Sequence, residues 1–405
     1  MPTVLSPTDA LALLRRGAEQ IVPEAELVKK LALGRPLRVK YGIDPTGIDV
    51  HLGHTVPLRK LRQFQQLGHQ AVLIIGNYTA LVGDPSGRDQ TRASLTEDQV
   101  RANAKDYLHQ VGKIIDLSRT EVHHNGDWFS QFRFLDVLNL MRQTTVQRLT
   151  ERDDFTKRLK AGTPIYLHEC LYPLMQGHDS VVIRADVELG GSEQLFSLMM
   201  GRQLQADAGQ EPQVCLTLPI LRGLDGQRRM GKSLGNYIGV GESAYDQFAK
   251  TMSIPDELMR EWFELLTDRP AEEITRLVDG NQTHPMAAKK TLAADIVSFY
   301  HGPEAAAAAG AEWEKRFSQR QDPTQIDDFV IPAAELAEGK IWLCKAMQLA
   351  GLAPSTSEAR RLIQGGGVTL GADRTKVVDP KLNVSIPPEG LLVRVGQRKV
   401  VRLRR

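Results

Sequence analysis

Hydrophobic and polar positions follow two alternating patterns over residues 35–240. Short runs rich in β-branched residues, LRVKYGI, AVLIIGNYT and the stretch around SVVIRADV, predict strands. Between them, segments such as TVPLRKLRQFQQLG and SEQLFSLMMGRQLQ repeat apolar residues every three or four positions and predict helices. This repetition predicts an α/β fold with a doubly wound, Rossmann-like parallel sheet, in which ligands bind beyond the carboxyl ends of the strands.

The pattern changes after residue 240, which predicts further domains. Amphipathic helical patterns without strand signals, for example PDELMREWFELL and MAAKKTLAADIVSFYHG, predict an α-helical domain over residues 241–320. Residues 321–338 contain two prolines and are typical of a linker. Residues 339–405 combine a helix pair, KIWLCKAMQLAG and SEARRLIQ, with the strand patterns VTLGA, VVDP and LLVRVGQRKVVRL, and predict a small α+β module.

The charge distribution separates this C-terminal module from the rest of the chain. The 405 residues carry a net charge of +2, yet residues 340–405 hold thirteen Lys and Arg against four Asp and Glu. A basic region of this kind favours a polyanionic partner such as RNA.

No apolar run approaches the ~20 residues that span a bilayer, and the N-terminus lacks a secretory pattern, so we expect a cytoplasmic protein without a membrane partner. The three cysteines lie far apart without a CxxC pair, which argues against a disulfide framework or a zinc site.

The segment His51-Leu52-Gly53-His54 follows the LRVKYGI strand pattern across a loop, at the predicted start of a helix. The unpaired N–H groups and partial positive charge of a helix N-terminus suit phosphate. Gly53 leaves room for a flat ring, and both histidines can donate to phosphate oxygens. The segment therefore indicates a nucleotide site, although histidines at a helix start are also common as surface or capping residues.

A second segment, LDGQRRMGKSLGN at residues 224–236, is rich in glycine and positive charge. Its cations, Arg228, Arg229 and Lys232, suit a charge that appears transiently, such as a departing pyrophosphate. It is not a P-loop, because it lacks the G-x-x-x-x-G-K-[ST] pattern between a strand and a helix. Taken alone, this segment is better explained as a solvated basic loop.

Together, the two segments resemble a known family. HLGH, a basic M-x-K-S loop about 175 residues later and the sheet between them resemble the HIGH and KMSKS signatures of class I aminoacyl-tRNA synthetases. DPTG before HLGH, LVGDPSGR, YPLMQGHD and ELGGSEQ resemble the bacterial tyrosyl-tRNA synthetases in particular. SEARRLIQGGGVTLGA resembles a small RNA-binding module shared with a ribosomal small-subunit protein and pseudouridine synthases.

The resemblance implies a two-step reaction. L-Tyrosine and ATP, with Mg²⁺, form tyrosyl-adenylate and pyrophosphate, and the tyrosyl group then passes to the 3′ end of tRNA(Tyr). Catalysis of this kind rests on positioning and on stabilisation of phosphate charge, without an enzyme nucleophile. The resemblance further implies a homodimer, a Rossmann-like catalytic domain over residues 1–240 with a helical connective insertion at about 115–175, tRNA binding by the 241–320 helices, and neither a protein-bound metal nor DNA as a ligand.

The resemblance also implies three groups of site residues. Those implied to act in catalysis are His51, His54, Arg229, Lys232 and Ser233. Those implied to contact ATP are His51, Gly53, His54, Gly190, Gly191, Glu193, Met230 and Lys232. Those implied to contact tyrosine are Tyr41, Asp84, Tyr172, Gln176, Asp179 and Gln194. The spacing of Tyr172, Gln176 and Asp179 places all three on one face of a helix, where they can converge on a small ligand.

Several positions depart from the family pattern. Lys40 occupies the place of a tyrosine that contacts the phenol, and because strand residues alternate, only Lys40 or Tyr41 can face the pocket. The basic loop has Arg229 and Gly231 where KMSKS has lysine and serine, and Glu193 and His178 replace an aspartate and a tyrosine. Three alternatives stay open: a tryptophanyl-tRNA synthetase, a nucleotidyltransferase with its own HxGH, and a catalytically silent RNA-binding protein derived from a synthetase.

Overall fold

The computed structural model describes residues 5–45, 50–84, 86, 96–318, 322, 326–396 and 399–405. Contacts divide the chain into two compact units, one up to Gly302 and one from Pro303 to Arg405. The predicted boundaries at residues 240 and 320 do not coincide with this division, and the predicted domain functions stay predictions.

The first unit is built on a mostly parallel sheet. Its strands are β1 (Gln20–Val22), β2 (Arg38–Ile43), β3 (Gln70–Ile75), β4 (Thr120–His124), β5 (Val187–Gly191) and β6 (Val214–Leu218). Their order is β1-β6-β5-β2-β3-β4, and only the β1–β6 pair is antiparallel. The predicted α/β fold with a parallel sheet is confirmed. The edge strand β1 is an addition, because three residues are too few to show an alternating pattern.

Helices surround this sheet. They are α1 (Pro7–Arg15), α2 (Glu24–Leu31), α3 (Leu52–Gln66), α4 (Thr79–Val82), α5 (Glu97–Val111), α6 (Gly126–Phe129), α7 (Phe134–Met141), α8 (Val146–Thr150), α9 (Asp153–Ala161), α10 (Tyr172–Ile183), α11 (Leu195–Asp207), α12 (Ala244–Met252), α13 (Met259–Leu266), α14 (Ala271–Val278) and α15 (Pro285–His301). Helices α6–α9 fall within the predicted connective insertion, which also contains the sheet strand β4.

The predicted helical domain shares its core with the sheet. In α13, Met259, Trp262, Phe263 and Leu266 are buried at the spacing of one helical face. They belong to the same hydrophobic core as the buried residues of β2, β3 and β5. Helices α13–α15, which all contribute to this core, therefore cannot be separated from the sheet without exposing it.

The stretch SVVIRADV is a helix end and not the predicted strand. Residues 180–183 complete α10, and β5 begins only at Val187. Ile183 joins Val72 and Ile74 in a buried cluster, so tertiary packing overrides the strand preference of the β-branched residues. Arg184, the residue that follows the helix, adopts a left-handed conformation with φ of 51°.

The second unit has its own sheets and core. Its elements are α16 (Pro303–Trp313), a π-helical turn (Glu314–Ser318), β7 (Asp327–Val330), β8 (Lys340–Trp342), α17 (Leu343–Leu349), α18 (Thr356–Gln364), β9 (Val368–Leu370), β10 (Thr375–Lys376), β11 (Asn383–Ser385), β12 (Leu391–Val395) and β13 (Lys399–Arg404). One sheet has the order β10-β9-β12-β13-β7, and β8 pairs with β11. Buried residues from α17, α18 and these strands form a separate hydrophobic core, as an α+β module requires.

Three short segments of this unit differ from the prediction. Within the predicted linker, β7 pairs in parallel with β13, with Phe329 opposite Leu403. The pattern KIWLCKAMQLAG begins as strand β8, and its helix starts only at Leu343. VVDP is not a strand, since β10 ends at Lys376. Segments of two to four residues are too short for hydrophobic periodicity to distinguish a strand from a helix or loop.

Candidate active site

The two signature segments meet through backbone hydrogen bonds. His51 forms an antiparallel bridge with Gly239, which follows the basic loop in the chain. On either side of this bridge, the Leu52 N–H donates to the Ile238 carbonyl at 2.9 Å and the Val240 N–H donates to the Val50 carbonyl at 2.8 Å. The end of the basic loop is thus fixed beside the N-terminus of α3.

The two histidines lie against each other at this helix start. Their rings stack with centroids 3.7 Å apart and planes inclined by 19°, and the His51 backbone N–H donates to His54 Nδ1 at 3.3 Å. Burial lowers the pKa of His51 to about 3, and the nearby His54 and Lys232 add to this shift. Desolvation and Lys232 also lower the pKa of His54, although its side chain is exposed. Both rings are therefore neutral at pH 7, and each offers one N–H to a phosphate.

A cavity of about 460 Å³ opens between HLGH, the end of β5 and the basic loop. Among the predicted site residues, its lining includes Tyr41, His51, Gly53, His54, Gly191, Glu193, Gln194, Arg229, Met230 and Ser233. A Cβ on Gly53 would lie 3.1 Å from the His51 ring, and one on Gly191 would lie 2.4 Å from the Glu193 carboxylate. A side chain at Gly53 would therefore crowd the His51 ring, and one at Gly191 would require the flexible Glu193 side chain to move.

The basic loop has a defined backbone shape beside this cavity. The Met230 N–H donates to the Leu221 carbonyl at 2.9 Å, and the Gly231 N–H donates to Asn236 Oδ1 at 3.0 Å. Asn236 in turn donates to Asp225 at 3.0 Å. Lys232 begins a short 3₁₀ turn, and its two neighbours in the chain, Gly231 and Ser233, line the cavity. The positive charge of Lys232 lowers the pKa of both histidines.

Next to this cavity, a polar network connects the residues at the ends of β2 and β3 with α10. The Tyr172 hydroxyl donates to Asp44 at 2.9 Å, and the Thr79 hydroxyl donates to the other oxygen of Asp44 at 2.7 Å. Asn125 donates to both the Thr79 hydroxyl, at 3.1 Å, and Asp179, at 3.3 Å. Trp128 donates its indole N–H to Asp179 at 3.0 Å and completes the network.

Asp179 is the buried acid of this network. Burial raises its pKa to about 7, against the opposing effects of the Lys40 charge and of the hydrogen bonds from Asn125 and Trp128. Burial also raises the pKa of Tyr172 well above its usual value, and the negative charges of Asp44, Asp84 and Asp179 contribute. The predicted residues Tyr172, Asp84 and Asp179 therefore lie close together.

Gln194 connects this network with the cavity. Its side-chain nitrogen donates to Asp84 at 3.2 Å, and its oxygen accepts from the Gly191 N–H at 3.0 Å. Gly190 precedes Gly191 on β5, and a Cβ on Gly190 would lie 2.9 Å from the Leu198 side chain. The predicted tyrosine-binding and ATP-binding residues thus form adjoining parts of one site.

The two neighbours on β2 separate onto opposite faces of the sheet. Tyr41 lines the cavity beside the histidines, whereas the Lys40 ammonium lies against α10 and forms a buried ion pair with Glu188 at 2.9 Å. Tyr41, predicted to contact tyrosine, is therefore on the HLGH side of the site. Gln176, predicted in the same group, donates its side-chain nitrogen to Glu188 at 3.0 Å.

Sequence reasoning missed Asp44, Thr79, Asn125 and Trp128 of this network, and Glu188, which pairs with Lys40. A signal existed for the first three, because Asp44 and Asn125 directly follow β2 and β4 and Thr79 lies four residues after β3, in the region where a doubly wound sheet binds its ligands. Trp128 and Glu188 gave no comparable signal. Of the motifs DPTG and DPSGR, residues 46–47, 85 and 87–88 lie outside the described residues.

Within the described ranges, no cluster of three or more His, Cys, Asp or Glu side chains is arranged to hold a metal ion. The expectation of no bound metal stays a prediction. In the same part of the chain, every helix is too short or too polar to cross a membrane. The three cysteines, Cys170, Cys215 and Cys344, are free thiols.

Comparison with known proteins identifies the family. Residues 32–318 match the family model described as class I tRNA synthetases (W and Y). The chain is 50% identical to the tyrosine–tRNA ligase of Moorella thermoacetica, over 97% of this chain and 95% of that protein. It is 49% identical to the tyrosine–tRNA ligase of Aquifex aeolicus, over 98% and 99% of the two chains.

A solved structure agrees with this assignment. The tyrosyl-tRNA synthetase of Archaeoglobus fulgidus, complexed with L-tyrosine, superposes with a TM-score of 0.60 at 25% identity, over 75% of this chain and 99% of that one. With the HLGH segment, the basic loop and the parallel sheet in place, this chain belongs to the class I tRNA synthetases of the tryptophan and tyrosine family.

Proposed function

We propose that the protein is a tyrosine–tRNA ligase, which forms tyrosyl-adenylate from L-tyrosine and ATP and then transfers the tyrosyl group to tRNA(Tyr). The observation that supports this most directly is the pairing of two adjoining sites: a cavity beside HLGH and a buried polar network that contains Asp179. Both relatives compared above carry the name tyrosine–tRNA ligase.

In the first step, the tyrosine carboxylate attacks the α-phosphorus of ATP and pyrophosphate leaves. His51 and His54, both neutral, donate to the phosphate oxygens, while Lys232 and Arg229, assisted by Ser233, stabilise the charge of the leaving pyrophosphate. Glu193 binds the ribose hydroxyls, and the backbone of Met230 and the glycines Gly53, Gly190 and Gly191 give the nucleotide room. Mg²⁺ accompanies ATP as part of the substrate.

The network around Asp179 selects the amino acid. Asp179 accepts from the phenol hydroxyl while Trp128 and Asn125 hold its carboxylate in place. Asp84, Tyr172 and Gln176 surround the ammonium group, and Gln194 reaches the carboxylate. Phenylalanine lacks the phenol hydroxyl and would leave these buried polar groups without a hydrogen-bond partner. Tyrosyl-tRNA synthetases are a known example of this mode of discrimination.

The second unit and the connective helices serve the tRNA step and assembly. Helix α18 presents Arg360 and Arg361 to solvent, in keeping with an RNA-binding role of the basic module. The connective insertion exposes large apolar side chains, with Phe134 78% and Leu167 85% exposed. Such a surface suits the pairing of two identical chains, and we infer a homodimer. A cytoplasmic location stays a prediction.

The proposal is tested by pyrophosphate exchange into ATP with tyrosine, tryptophan and phenylalanine supplied separately. Exchange with tyrosine alone is the expected result. Exchange driven by tryptophan would make the protein a tryptophanyl-tRNA synthetase, and the absence of exchange with all three would favour the silent RNA-binding alternative.

A further inference from the structure

A fully buried ion pair lies behind the amino-acid part of the site. Lys40 on β2 and Glu188 on β5 are opposite each other in the sheet register, so both side chains reach the face covered by α10. Their charged atoms are 2.9 Å apart, and both side chains are 0% exposed. A buried ion pair contributes little net stability because desolvation offsets the attraction, which directs attention to what the pair positions.

The Lys40 ammonium attaches the sheet to the pocket helix. Besides Glu188, it donates to the Gln176 backbone carbonyl at 2.7 Å and to the Ser180 hydroxyl at 2.8 Å. These two residues flank Asp179 on α10. The Lys40 side chain thus connects β2 and β5 with α10 beside the polar face of the pocket.

Glu188 in turn fixes the orientation of the Gln176 amide. Its carboxylate receives hydrogen bonds from the side-chain nitrogens of Gln176 and Gln213 and from the Ser180 hydroxyl, in addition to Lys40. A carboxylate can only accept hydrogen bonds, so the Gln176 nitrogen must face it. Turning the amide over would place its oxygen against the negative charge.

This orientation leaves an acceptor without a partner. Gln176 is 8% exposed, and among the described residues its side-chain oxygen is buried with no hydrogen-bond donor. A buried acceptor of this kind is unfavourable until a donor reaches it. Gln176 shares a helical face with Tyr172 and Asp179, the residues of the proposed tyrosine site. The ammonium group of the amino-acid substrate carries three N–H bonds and can supply the missing donor.

We propose that Lys40 and Glu188 are positioning residues for the amino-acid substrate: Glu188 holds the Gln176 amide so that its oxygen accepts from the substrate ammonium, and Lys40 holds Glu188 and α10 together. This inference rests on the proposed tyrosine site and adds to it two residues that do not touch the substrate.

The test compares two ligands by calorimetry. L-Tyrosine has the ammonium group, and 3-(4-hydroxyphenyl)propanoic acid has the same phenol and carboxylate without it. In Glu188→Gln the new amide can donate or accept, so the Gln176 amide is free to turn over. We expect tyrosine binding to weaken about tenfold relative to the analogue, the effect of one hydrogen bond to a charged group. Gln176→Met should show the same selective loss.

A double variant tests whether Glu188 acts through Gln176. If it does, Glu188→Gln should add little further loss in the Gln176→Met background, since the two effects are coupled. Asp186→Asn is a matched control: Asp186 is another buried acid next to β5, but it binds Arg35 and the Arg38 N–H, both at 2.8 Å. It should leave the ratio of the two affinities unchanged.

The outcomes separate the inference from the proposed function. Equal weakening of tyrosine and the analogue in Glu188→Gln, or additive effects in the double variant, would overturn the positioning role. If Glu188→Gln does not fold, the charge-neutral pair Lys40→Met and Glu188→Gln together makes the same prediction. A wild-type chain that binds tyrosine without catalysing exchange would contradict the proposed function only, and one that binds no tyrosine would overturn both.

Discussion

The protonation of His51 is set by its surroundings. Burial lowers its pKa to about 3, so the folded chain resists protonation that the unfolded chain accepts near pH 6.5. The unfolded state therefore binds more protons between these values, and stability falls as pH falls below about 6.5. We expect the free energy of unfolding to drop by about 1 to 2 kcal/mol from this residue between pH 7 and pH 5.

Denaturant unfolding at both pH values checks this prediction with His51→Asn as the comparison. The variant lacks the titrating ring, so its stability should fall less than that of the wild type. An equal fall in the two proteins would show that other groups are responsible.

Asp179 carries a different residue-level prediction. Asp179→Asn keeps the shape of the side chain but removes the charge that we propose accepts from the phenol. We expect kcat/KM for tyrosine in pyrophosphate exchange to fall about 10- to 100-fold, the effect of one hydrogen bond to a charged group. The KM for ATP should hardly change, because we propose that the adenosine part of ATP binds in the neighbouring cavity; a matching rise in both KM values would contradict the assignment.

At single positions, the sequence predicted what local motifs encode. Each of the motifs HLGH, GGSEQ and YPLMQGHD is a single unbroken segment of the sequence, and the structure brings most of their predicted residues to one site. The choice between Lys40 and Tyr41 could not be made, because alternation separates two neighbours without saying which face holds the ligand. Trp128 could not be found either, since its indole reaches Asp179 from a helix 51 positions away in the chain.

At the level of elements, the connective insertion leads to a prediction about assembly. Val146 is 74% exposed and Leu167 is 85% exposed. Large apolar side chains exposed to this extent are typical of a surface that contacts another protein chain. If the connective insertion pairs two chains, Val146→Asp with Leu167→Asp should give a monomer in sedimentation velocity while the wild type sediments as a dimer.

Leu33→Asp is the control for this experiment. Leu33 is also an exposed apolar residue, at 52%, but lies just after α2 and outside the connective insertion. A dimer that survives the double substitution, or one that Leu33→Asp disrupts equally, would place the interface elsewhere.

Elements with long periodic patterns were predictable and short ones were not. The fifteen residues of α3 and the six of β2 and β3 follow their periods clearly. The end of α10 was mistaken for a strand because its β-branched residues were weighed without the neighbours that bury Ile183. Strand β7 was hidden because its pairing partner, β13, lies about 70 residues later.

For the whole molecule, the separate cores of the two units predict separable activities. A chain that ends at Gln319 keeps the sheet and its bound helices but lacks the basic module. We expect it to retain tyrosine-dependent pyrophosphate exchange and to lose most tRNA charging. In the full chain, tRNA binding should weaken steeply as salt rises, since phosphate contacts release counterions. Undiminished charging by the truncated chain would show that the module is dispensable.

The backbone bridge between His51 and Gly239 has one further consequence. Residues 238–240, which follow the basic loop, pair with the backbone of HLGH. A ligand that stabilises this pairing therefore stabilises both segments together. If nucleotide binding orders residues 238–240, a substitution that raises the fraction of molecules with these residues ordered should strengthen nucleotide binding in the same proportion. Affinity for ATP can thus be tuned by residues that never touch it.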